Sequence, residues 1–163
     1  MEIELKKIMQ EEAENYMHQC LSLAKIALET GNPPVGALIV LNGEVIGKGI
    51  ESGKSTGDIS NHAEIMAIRD AVKNGYSGKL GSAQLYTTHE PCLMCSYMIR
   101  HHKIAEIVYG LSVPFVGGFT SEFGVLSTAT VPKWGTAPKV TTGICLDECN
   151  ALNEHFLKTL NTP

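Results

Sequence analysis

The chain has 163 residues, 44% hydrophobic and 18% charged, which is the composition of a globular protein and not of a disordered one. At this length residues 1–163 are expected to form a single domain with a buried core. Thirteen basic residues against seventeen acidic leave a net charge of −4, which argues against a strongly basic nucleic-acid scaffold. No apolar run reaches the ~18 residues of a membrane span. The charged start MEIELKKIMQEEAENYMHQ is unlike a secretory signal, so a cytoplasmic protein without a membrane partner is expected.

Met17, Cys20, Leu21, Ala24 and Leu28 recur at helical spacing before Gly31, which predicts an amphipathic helix over 9–30. Two apolar runs, 35–41 and 44–50, flank Asn42-Gly43, the strongest short hairpin signal. Residues 51–60 form a Gly/Ser loop. A second helix follows over 61–74, with Ser60 or Asn61 as its cap and Gly75 as its stop. A strand over 83–88, a helix over 91–102 opened by Pro91, and a strand over 104–109 make a β-α-β unit with parallel strands. Residues 111–138 are rich in Gly, Pro, Ser and Thr and give no periodicity. A strand over 140–145 and a helix over 147–160 close the chain. The sum is an α/β protein with three α/β/α layers around a mixed, about five-stranded sheet.

Cys20, Cys92, Cys95, Cys145 and Cys149 are an odd set without a secretory context, which disfavours a disulfide scaffold. Cys20 lies on the apolar helix face and reads as core. Cys145 and Cys149 read as a strand-end cysteine and a core-facing helical cysteine in preference to a second metal site. Cys92 and Cys95 are i, i+3 on one helix face, so one ion can touch both sulfurs, and the positive end of the helix dipole favours their thiolates. Alone, the pair is ambiguous between zinc and a redox couple. Upstream stands His62-Ala63-Glu64. His62 and Glu64 are about 200° apart around a helix, so they can serve one site only if the helix begins at or just before His62. Two facing helix starts would then bring His62, Cys92 and Cys95 around one Zn²⁺ per subunit, leaving the fourth position to water as in catalytic sites. Zinc would acidify that water. Glu64 would carry its proton to a ring nitrogen and a leaving amine. H-x-E followed by P-C-x-x-C is the known signature of zinc deaminases.

PPVGALIV at 33–40, NHAEIMAI at 61–68, YTTHEPCLMC at 86–95 and TTGICLDECNAL at 141–152 together resemble the cytidine deaminase superfamily. The branch they resemble holds tRNA adenosine deaminases, guanine deaminases and fungal-type cytosine deaminases. That resemblance implies a cytidine deaminase-like fold and a homodimer with pockets completed near the subunit boundary. It also implies that Val35 packs on the substrate ring and that the Ala63 backbone N–H contacts it. Relatives carry a base-contacting Asn eleven residues before the zinc His, where this chain has Glu51. An ionised Glu only accepts hydrogen bonds. Glu51 therefore either favours a ring edge with two N–H donors or points to solvent from an altered loop. His89 stands where relatives have a small or apolar residue; pocket lining, a partner behind it and simple packing all remain open. His101-His102-Lys103 reads as a solvated helix end, and Trp134 as either a loop anchor or a stacking surface.

The expected function is zinc-dependent hydrolytic deamination of a free nucleobase, nucleoside or related aminated heterocycle, a small-molecule partner. The C-terminal LNEHFLKTLNTP carries a single Lys, and phosphate contacts dominate nucleic-acid affinity, so a tRNA wobble adenosine deaminase is the alternative. A non-enzymatic module with structural zinc is a third reading and requires a fourth protein ligand.

Overall fold

Side chains alternate along the central strands, and both sets are buried, so the sheet carries a core on each face. The structure is a computed structural model that describes residues 1–162. Its elements run α1 (Glu2–Glu29), β1 (Gly36–Leu41), β2 (Glu44–Ile50), α2 (Gly53–Thr56), α3 (Ala63–Lys73), β3 (Gln84–His89), α4 (Leu93–His101), β4 (Glu106–Leu111), β5 (Lys139–Thr141) and α5 (Leu146–Leu160). The sheet order is β2-β1-β3-β4-β5. β1 is antiparallel to β2 and β3, while β3–β4 and β4–β5 are parallel. This is the expected α/β/α layering with a mixed five-stranded sheet. No helix among the described residues is long and apolar enough to cross a membrane.

On one face Leu38, Val40, Tyr86 and Val108 meet Met17 and Cys20 of α1 and Cys149 of α5. On the other, Ala37, Ile39, Leu85, Ile107 and Tyr109 meet Ala67 and Ile68 of α3 and Ile99 of α4. Asn42 (φ 51°) and Gly43 (φ 80°) both take positive φ, as a two-residue type I′ hairpin requires. A Cβ at Gly49 would collide with the Ala63 carbonyl, and one at Gly47 with the Ala67 carbonyl. The small face of α3 (Ala63, Ala67, Ala71) therefore lies directly on β2, which fixes where α3 begins.

Boundaries moved for identifiable reasons. α1 starts at Glu2, not near residue 9, although Ile3, Leu5, Ile8 and Met9 are exposed. Strong helix formers and the Lys6–Glu2 (2.8 Å) and Lys7–Glu11 (4.0 Å) pairs carry these first turns without a buried face. The Gly/Ser loop contains the single turn α2. Ser60 and Asn61 do not cap α3. His62 is its N-cap, while Ser60 bonds Asp58 and Asn61 bonds Thr56 and Arg69. β5 ends at Thr141 rather than 145, because Gly143 (φ 79°) and Cys145 (φ 53°) turn the chain out of the sheet. Trp134 is buried against the Arg100 guanidinium, 5.1 Å from its ring centre. Arg100 in turn donates to the Val125 and Thr128 carbonyls (both 2.9 Å). Trp134 thus anchors the long loop, and Cys20 is core as expected.

Candidate active site

The start of β1 and the ends of β2, β3 and β4 share one edge of the sheet: Gly36 pairs with Ile50, Ala37 with Thr87, and His89 with Leu111. α3 follows β2 and α4 follows β3, so both helices begin at that edge, the usual place for sites on parallel strands. His62 and Cys92 are the N-caps of α3 and α4, both extended, with ψ 148° and 176°. A cap residue is not bound to helical rotation. This resolves the i, i+2 problem, since His62 leaves the helix axis while Glu64 sits in the first turn.

The His62 Nδ1 atom lies 3.5 Å from Cys92 Sγ and 3.5 Å from Cys95 Sγ, and the three atoms lie within 4.8 Å of one another. Zn–S near 2.3 Å and Zn–N near 2.0–2.1 Å at a tetrahedral angle require an S···N separation of roughly 3.5 Å. The donor set and spacing therefore fit zinc. Among the described residues the group holds three donors, where a structural zinc site takes four. Glu64 stands beside it, buried, its Oε2 3.6 Å from Cys95 Sγ and its Oε1 accepting from Thr87 Oγ1 at 3.3 Å.

The electrostatics follow from this crowding. Hydrogen bonding from Cys95, with help from His62, draws the Cys92 thiol down to about 4, toward the metal-binding thiolate. The same hydrogen bond and burial push Cys95 up. The hydrogen bond to Cys92 lifts His62 to about 9. Burial lifts Glu64 to about 7.

A cavity of about 190 Å³ opens over this cluster, lined by Val35, Glu51, His62, Glu64, His89 and Cys92, with Val113 and Val116 on its rim. Val35 is on the wall. Glu51 does not point to solvent. It is 6% exposed, its Oε1 accepts from the Gly53 N–H at 3.1 Å, and burial raises its carboxyl. Ala63 is fully buried and is not among the described residues that line the cavity. His89 lines the cavity, its Nε2 3.4 Å from Asn153 Oδ1 of α5 and its Nδ1 3.5 Å from Thr88 Oγ1. Burial lowers its pKa.

Sequence reasoning missed Glu90. This buried carboxylate accepts from the backbone N–H groups of Val113, Phe119 and Thr120 (2.9 Å each) and from Thr120 Oγ1 (2.6 Å). It folds the aperiodic segment after β4 back over the site, which is how Val113 and Val116 reach the cavity. A Glu between a pocket His and a helix-opening Pro was the available signal.

Residues 10–111 match the model of the cytidine and deoxycytidylate deaminase zinc-binding region. The chain belongs to this family. Among deaminases, it is 35% identical over 150 residues to the tRNA-specific adenosine deaminase of Aquifex aeolicus (strain VF5), covering 90% of this chain and 95% of that one. A solved structure from a study of A-to-I editing by tRNA:A34 deaminases superposes with a TM-score of 0.77 at 33% identity, covering 85% of this chain and 98% of the other. The guanine deaminase of Bacillus subtilis gives 0.57 at 32% identity over 61% and 64% of the two chains. In this zinc-binding deaminase the His62, Cys92 and Cys95 cluster is a group that can hold one zinc ion.

Proposed function

We propose that the chain removes an amino group from a ring carbon by hydrolysis, with His62, Cys92 and Cys95 as zinc ligands and Glu64 as the proton carrier. The observation that supports this best is the three-donor cluster with tetrahedral spacing, a buried carboxylate beside it and a cavity above it. Zinc, when bound, supplies an acidified water with a pKa near 7. Glu64 accepts a proton from the attacking water and hands it to a ring nitrogen, then serves the departing amine. Water oxygen bonds to the ring carbon, the bond from that carbon to its exocyclic amino nitrogen breaks, ammonia leaves and a carbonyl remains. Thr87 holds the Glu64 carboxylate in place. Glu64→Gln is expected to keep its zinc and lose roughly 10²–10⁴-fold in ammonia release. Near wild-type turnover with zinc bound would refute the assignment.

For the substrate, the relatives favour adenosine at the wobble position of tRNA. A second reading, a free aminated heterocycle, is favoured by one feature of the site: Glu51 places an acceptor-only carboxylate on the cavity wall. The C-terminal helix adds little positive charge, with Lys158 alone in its last turn. Inosine formation in an anticodon stem-loop, with salt-dependent tRNA binding, supports the first reading. Turnover of free bases without tRNA binding supports the second. A homodimer is part of the proposal: Phe115, Val116 and Phe119 on the loop beside the cavity, with Phe123, are exposed, and a second copy would cover them. Light scattering that returns a monomer mass at micromolar concentration would refute it.

A further inference from the structure

The layer opposite the active site carries a second group of unlike metal donors. His18 of α1, Cys145 at the N-cap of α5 and Glu148 in the first turn of α5 bring their ligand atoms within 4.8 Å of one another. Cys145 Sγ lies 3.8 Å from His18 Nε2, close to the roughly 3.5 Å separation of zinc-bound sulfur and nitrogen. We propose that His18, Cys145 and Glu148 form a second site for a soft divalent cation, zinc first among them, that ties the start of α5 to α1.

The surroundings suit a cation. The depression, about 350 Å³, is lined also by Gln10, Glu14 and Asp147, and among the described residues no Lys or Arg lines it. Glu14 lies one turn before His18 on α1 and lines the same depression, its Oε1 accepting from Gln10 Nε2 at 2.8 Å. Imidazole, thiolate and carboxylate are the ligand types zinc takes. Cys145 does not continue the strand, as the sequence had suggested; the turn at Gly143 and its own φ of 53° swing it toward α1. Side chains seldom adopt that backbone region. Cys149, one turn on, is 1% exposed within the core and takes no part. The catalytic cluster sits at the starts of α3 and α4 on the other face, so the two sites load independently.

The test uses the holoprotein, titrated with zinc against a chromophoric chelator, with cobalt absorption to report thiolate ligation. Two metal equivalents are expected in the wild type. The weaker one should fall about 100-fold or more in affinity in Cys145→Ser and in His18→Gln, beyond the roughly 10–100-fold that outer partners of metal sites cost. Ammonia release should not change in either variant. Added zinc should raise the melting temperature of the wild type and not of the variants, whose melting without added zinc should match it, because His18 is exposed and Cys145→Ser exchanges one atom at a half-buried position. A single equivalent in the wild type, or a second one that survives both substitutions, would overturn the site.

Discussion

Glu51→Gln separates recognition from support. In the wild type the carboxylate has one oxygen on the Gly53 N–H at 3.1 Å and sits on the cavity wall at 6% exposure. Gln keeps the length and one acceptor, so the bond to Gly53 can survive, while the other acceptor becomes a donor. If a ring N–H of the substrate meets that oxygen, a charge-assisted hydrogen bond worth about 1.5–3 kcal/mol is lost, roughly a 10–150-fold fall in kcat/KM for that substrate. A ring that presents an acceptor at the same edge gains instead, so the order of substrates inverts. The assay is ammonia release with guanine, isocytosine, cytosine and adenine, and inosine formation in an anticodon stem-loop, for wild type and variant at saturating zinc. A uniform drop across all substrates would show that Glu51 only holds the α2 turn. An unchanged order would refute its role in reading the ring.

Three further outcomes follow from the packing. Gly49→Ala drives a Cβ into the Ala63 carbonyl and should cost ~1–3 kcal/mol by overpacking, with zinc content falling alongside because His62 rides on the same helix start; full zinc content in a destabilised variant would contradict that link. Glu90→Ala strands the N–H groups of Val113, Phe119 and Thr120, each costing about 1–3 kcal/mol if left unmet, and hydrogen exchange of the segment after β4 should rise while β1 and β3 stay protected. His89 is held neutral by burial, so the unfolded chain binds a proton that the folded chain refuses. Its stabilising effect is present above the ordinary His value near 6.5 and lost as pH falls below it, at up to ~1.4 kcal/mol per pH unit. His89→Gln should flatten the fall of melting temperature between about pH 7 and 5, and an unchanged slope would place the titration elsewhere.

What could be read from the sequence was whatever depends on neighbours along the chain. The Asn42-Gly43 hairpin and the alternation that buries both sheet faces are local physics and appear where the pattern puts them, while the helix starts fall one to two residues later than the pattern put them, at the N-caps His62 and Cys92. The first turns of α1 escaped because no core partner imprints a period on them; charged pairs along the helix hold them. β5 was overextended because an apolar run does not reveal that Gly143 and Cys145 adopt positive φ.

The site divides along the same line. The proposed reacting end rests on two short segments, each at a helix start, so the spacing together with those starts suggested how His62, Cys92 and Cys95 could meet. The recognition end is assembled from afar. Glu90 reaches across to Phe119 and Thr120, Asn153 comes from the last helix to His89, and Val113 and Val116 arrive on a loop without periodicity. Such contacts leave no period in the chain. The chemistry of this deaminase was therefore legible before its substrate, and Glu51, a local residue facing a wall built from distant ones, is where the two halves of the problem meet.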